Sequence, residues 1–131
     1  MKTGILALLG GMAFAALAGD APELYFVSPA NGAAVSGPVH AVFGLRGMGV
    51  APAGVNHANT GHHHLVIDAP LPPAGKPIPS NEHYRHFGGG QTEAFIELPS
   101  GKHTLQLVLG NHLHVPFEPM VVSEKITITV E

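Results

Sequence analysis

NTGHHHLVID, residues 59–68, joins a turn, three consecutive histidines and a short apolar run that ends in an acid. At strand period the side chains alternate between faces. His62, His64, Val66 and Asp68 then share one face, and His63, Leu65 and Ile67 share the other. A core-facing row of His63, Leu65 and Ile67 leaves His62 and His64 pointing together away from that core. Two imidazoles two residues apart on one strand face form half of a metal site.

The flanking sequence reads as strands separated by Gly/Pro turns. LYFV (Leu24–Val27) is aromatic and β-branched, and SPANG (Ser28–Gly32) carries Pro, Asn and Gly in turn order. Residues 20–37 thus read as strand, turn, strand. Pro38–Gly44 follows, with Val39, Ala41 and Phe43 on one face against His40 and Val42. TEAFIEL alternates Ala94, Ile96 and Leu98 against Phe95 and Glu97. HTLQLVLG alternates Thr104, Gln106 and Val108 against His103, Leu105, Leu107 and Leu109. The closing SEKITITV turns Ile126 and Ile128 inward and Thr127 and Thr129 outward. No helical period stands out after the first eighteen residues. About seven short strands of this kind predict an all-β, immunoglobulin-like antiparallel β-sandwich. Three connections interrupt the strands. Gly44–Gly61 is long for a small domain, a length associated with function. Ala69–Asn81 holds five prolines and is expected to run extended over the surface. Asn111–Met120 carries His and Pro.

Residues 1–18, MKTGILALLGGMAFAALA, have the basic, apolar and small-residue order of a secretory signal peptide. The apolar run is short for a membrane span, and no second one of about 18 residues follows. The expected mature chain is Gly19–Glu131, 113 residues in a single β-sandwich domain, periplasmic or secreted and without a membrane span after cleavage. Loss of Lys2 takes the formal net charge from -3 to -4. A mildly acidic chain without a basic run argues against a nucleic acid partner. With no cysteine, disulfides and thiolate metal sites are excluded. The anomaly is ten histidines against six Lys and Arg together. A single histidine is ordinarily a capping, surface or core residue, but imidazole is also the commonest metal ligand, and clustering changes the balance.

The phrase FVSPANGAAVSGPV resembles the opening of bacterial immunoglobulin-like domains. GMGVAPAG, NTGHHHL, HFGGGQTE, GKHTLQLVLG and SEKITITV, in that order, resemble the bacterial DUF4399 family of small exported proteins over nearly all of Gly44–Val130. The resemblance implies no assigned activity. Members often read His-x-Pro-His in the second long loop. Here HVPFEP has Phe117 where that second His would fall, which counts against a ligand at this position.

Sandwich topology sorts the remaining histidines by end. If the strand that opens at His62–His64 starts at the top, its antiparallel neighbour His103–Gly110 starts at the bottom and delivers Asn111–Met120 to the top. The turn PSGK at the bottom places the start of Gln91–Leu98, beside Gly88–Gly90, at the top as well. His62, His64, His86, His112 and His114 are therefore the expected metal ligands at one rim, with His57 and His83 in reach. His103 falls at the opposite end and His40 on a sheet face. His63 turns to the core or supports the site through Asp68 or a backbone carbonyl. A His-only set suits copper, zinc or nickel, and Met48 and Met120 offer thioethers to copper.

The function these features favour is an exported periplasmic metal-binding protein, a carrier or buffer for copper or zinc. The alternative is a non-metal cell-envelope interaction module that binds a protein or glycan partner through the same loops. An enzyme is the less favoured reading. Sandwich copper enzymes often chelate through a mature N-terminal His, and the expected cut leaves Gly19. A zinc hydrolase wants a carboxylate base, and the spacing singles out none of Glu82, Glu93 and Glu118. No Gly-x-Ser-x-Gly is present. HFGGGQTE lacks the Gly-Lys-Ser/Thr of a phosphate loop.

Overall fold

The computed structural model describes Gly10 and residues 21–131. The expected signal segment, residues 1–18, and the cleavage point lie outside the described residues except for Gly10. Nine strands occur among the described residues: β1 (Glu23–Ser28), β2 (Ala34–Val35), β3 (Val39–Arg46), β4 (Gly49–Val50), β5 (Thr60–Ile67), β6 (Tyr84–His86), β7 (Glu93–Ile96), β8 (Gly101–Gly110) and β9 (Ile126–Val130). The expected seven are all present. The two extra are β4 and β6, both too short to leave an alternating pattern.

A three-stranded sheet of order β1-β3-β7 faces a larger sheet of order β2-β9-β8-β5-β4, with β6 also paired to β5. The pairings are antiparallel except for β2 with β9 and β4 with β5. The inward rows are the ones alternation marks. Val39, Ala41 and Phe43 of β3 and Ile96 of β7 pack against Leu65 and Ile67 of β5, Leu105, Leu107 and Leu109 of β8, and Ile126, Ile128 and Val130 of β9. Each fully buried aliphatic side chain here contributes about 1.5–3 kcal/mol relative to exposure. That core holds the two sheets together in a chain without disulfides.

The outer face of the large sheet is covered too. The Pro-rich segment between β5 and β6 carries Ile78 onto Val66 and Val108, and the three form a second, smaller cluster with Ala69, Tyr84 and Val122 beside it. The backbone N–H of Ile78 also donates to the carbonyl of His114 at 2.7 Å. The segment expected to run over the surface thus acts as a cover. β5 is buried from Gly61 to Ile67.

Candidate metal centre

β5 supplies the centre of the site. Its neighbour on one edge is β8, with His62 opposite Gly110 and His64 opposite Val108. On the other edge β6 pairs antiparallel and sets His86 directly opposite His64. Residues opposite each other in a ladder have β-carbons about 4.5–5.5 Å apart, so strand pairing alone brings the His64 and His86 rings together. β8 runs the other way and hands the chain at Gly110 to a turn that returns His114 over His62. That turn is organised by Asn111. Its Oδ1 accepts the backbone N–H groups of Leu113 at 2.9 Å and Val115 at 3.1 Å. Its backbone carbonyl accepts the N–H of His114 at 2.9 Å. His114 consequently sits at φ 64°, a left-handed conformation that non-glycine residues seldom adopt.

Four imidazoles converge as a result. His62, His64, His86 and His114 each offer one ring nitrogen, and these nitrogens all lie within 4.8 Å of one another. His62 Nε2 is 2.9 Å from His64 Nε2 and 3.1 Å from His114 Nδ1. The ring nitrogen of a neutral histidine carries either a hydrogen or a lone pair. His62 Nε2 therefore cannot fully satisfy both neighbours, whereas a cation between the rings would take a lone pair from each. His62 and His64 are 1% exposed, His114 is partly buried and His86 is exposed. Burial favours neutral rings. It pushes His62 down to about 4, helped by the nearby charges of His86, His114 and His63, and His64 down to about 3. Burial followed by the proximity of His114 also lowers His86. His62, His64 and His86 are thus held toward the neutral form, the state a metal requires.

Five histidines were expected at this rim, and four form the group. His112 is not one of them: it shares the loop with His114 but stands two residues earlier, and its ring is not part of the group. His83 lies further along β5, where its Nδ1–H donates to the carbonyl of Ile67 at 2.9 Å. His57 is exposed and its Nδ1–H donates to the neighbouring carbonyl of Ala58 at 3.0 Å. His63 does turn to the core, with its ring 5.1 Å from that of Phe43. Neither of its nitrogens has a partner among the described residues, and burial lowers its pKa to about 4. Asp68 does not support the cluster. It belongs to the far end, where His103 donates Nδ1–H to Asp68 Oδ2 at 2.6 Å and Nε2–H to the carbonyl of Pro99 at 2.7 Å. Two acceptors demand two N–H groups, so His103 is held there as an imidazolium, and the Asp68 bond raises its pKa. His40 lies on the outer face of the small sheet, stacked on Phe95 at 4.4 Å. Met48 and Met120 line a separate cleft of 410 Å³ with Phe117 and Asn59, and no histidine of the cluster lines it. Phe117, in the place of a possible further histidine, packs on the main core.

Two glycines make room for the rings. A β-carbon on Gly110 would stand 2.8 Å from His64 Nε2, and one on Gly88 would stand 2.6 Å from His86 Nε2. Such approaches lie well inside van der Waals contact. Neither role was evident in the GGG of HFGGGQTE or at the end of HTLQLVLG.

The fold and site define an all-β sandwich with a four-histidine cluster, able to hold a metal ion, on the outer face of its larger sheet. The family model for a domain of unknown function, DUF4399, matches residues 41–131, and the chain belongs to that family. No curated protein and no solved structure matches the chain. Among the described residues no helix is long and apolar enough to cross a membrane.

Proposed function

We propose that the protein is an exported, periplasmic metal-binding protein that carries or buffers copper or zinc at His62, His64, His86 and His114. The observation that carries this reading is the convergence of four ring nitrogens within 4.8 Å, two of them on nearly fully buried rings. Burying polar rings against one another without full pairing costs stability, and a bound ion offsets that cost.

Carriage suits the site better than catalysis. Four protein ligands close the coordination of a tetrahedral ion, whereas catalytic sites keep a position open for water or substrate. The group contains no carboxylate to act as a base. A shell of neutral donors leaves the charge of the ion uncompensated, which tempers affinity, and exposed His86 gives the ion a ligand that detaches on the solvent side. Export rests on the order of residues 1–18.

Metal analysis of untagged protein, recovered from the periplasm of cells supplied with copper, zinc and nickel, tests the proposal. About one ion per chain in a species beginning at Gly19 is expected. Metal-free protein, or a species that retains Met1, contradicts it.

A further inference from the structure

The six distances among the four rings carry information about the ion. The ring centroids of His62 lie 4.7, 5.1 and 5.0 Å from those of His64, His86 and His114. His64 lies 5.1 Å from His86 and 5.9 Å from His114, and His86 lies 4.5 Å from His114. With a metal–nitrogen bond of about 2.0–2.1 Å and the centroid about 1.1 Å beyond the nitrogen, a tetrahedral shell spaces all six centroid pairs about 5.2 Å apart. A square plane spaces four pairs about 4.5 Å apart and the two opposite pairs about 6.4 Å apart. The His62–His86 pair, 5.1 Å apart, lies far short of the opposite-pair value of a square plane, while the 4.5 and 5.9 Å pairs mark the tetrahedron as somewhat flattened.

From these distances we infer that the cluster is a closed tetrahedral cage for zinc(II), built against the tetragonal geometry copper(II) prefers. The inference rests on the metal-binding reading above and narrows it. The cage resists further flattening because each ring is tied separately. His62 and His64 are two residues apart on one strand, so the strand pitch fixes their spacing. His64 cannot swing toward β8, because Gly110 already approaches its Nε2 as closely as only a glycine can. His86 is held opposite His64 by the β5–β6 ladder. The turn around Asn111 holds His114, and the Ile78 N–H grips its carbonyl from the Pro-rich cover. Zinc(II) has no geometric preference of its own and accepts such a shell, while copper(II) bound there is kept from its plane. Copper(I), which thioethers would attract, finds Met48 and Met120 in a different cleft.

Cobalt(II) reports this geometry directly, since a tetrahedral site gives intense visible absorption and a six-coordinate one gives only faint colour. The full-length mature protein, stripped of metal, is titrated with cobalt(II) and then zinc(II). One equivalent of cobalt is expected to raise an intense blue band that one equivalent of zinc erases. His86→Ala, a change at an exposed position with folding verified by circular dichroism, is expected to weaken cobalt binding by more than about a hundredfold. That exceeds what losing a residue behind a ligand costs. A faint six-coordinate spectrum with tight binding, or cobalt affinity unchanged in His86→Ala, overturns the cage while leaving metal binding standing. No binding of cobalt, zinc or copper overturns the cage and the metal-binding reading together.

Discussion

Gly110 and His64 are in contact that admits no side chain: a β-carbon on Gly110 would stand 2.8 Å from His64 Nε2 and 3.5 Å from His114 Cα. The end of β8 is therefore shaped for two ligands at once. Gly110→Ala is expected to shift the His64 ring and to weaken metal binding at least tenfold. The overpacking should destabilise the fold by only about 1–3 kcal/mol. Calorimetric titration with zinc, beside thermal melts of the metal-free protein, separates the two effects.

Asn111 is expected to act through His114. Its Oδ1 accepts backbone N–H groups on both sides of His114, so Asn111→Ala removes two hydrogen bonds and releases the left-handed turn. A stability loss of about 1–3 kcal/mol and a fall in zinc affinity of about tenfold or more are expected. Asn111→Asp keeps an acceptor oxygen for both N–H groups and should recover most of the affinity. Equal loss in the two variants would show that the turn does not position the ligand.

Acid should destabilise the metal-free protein through the buried rings. In the unfolded chain His62, His63 and His64 take up protons near 6.5, whereas folded they resist until about 4, 4 and 3. The unfolded state then binds more protons between those limits, so stability falls as pH drops from about 6.5 toward 4. The low values also mean that protons compete weakly with metal at the ligands His62 and His64. Binding should persist below the ordinary histidine range before it fails. Urea midpoints across pH check the first expectation, and zinc titrations at pH 7, 6 and 5 check the second.

The far end behaves in the opposite sense. The raised pKa of His103 contributes stability that is fully present below about 6.5 and is lost as pH rises through its folded value. Asp68 is buried enough to favour its neutral form, but the bonds from His103 and the Thr104 N–H outweigh that and lower its pKa. Its contribution is present above the ordinary carboxylate value and lost as pH falls through the lowered one. His103→Ala should therefore cost about 1–3 kcal/mol and leave zinc affinity unchanged. Loss of zinc binding in this variant would mean that the two ends are not independent.

Much of this arrangement is legible in the residues. Alternation places His62 and His64 on one face with His63 in the core, and sandwich topology brings the loop after Gly110 back to them. What escapes the pattern is short or indirect. Tyr84–His86 is a three-residue strand, too brief to show a period, yet its pairing delivers His86 to His64. The choice between His112 and His114 depends on which backbone groups Asn111 captures, and that is not written in the spacing of NHLH. The cover over Val66 and Val108 turns on one apolar residue, Ile78, within a run of prolines.

The most direct test is calorimetric titration of the untagged mature protein with zinc, wild type beside the His62→Ala/His64→Ala double variant, with circular dichroism to verify that both are folded. One ion per chain in the wild type and none in the double variant is the predicted result. A wild type that binds nothing, or a folded double variant that binds as tightly as the wild type, would contradict a metal centre at these four histidines.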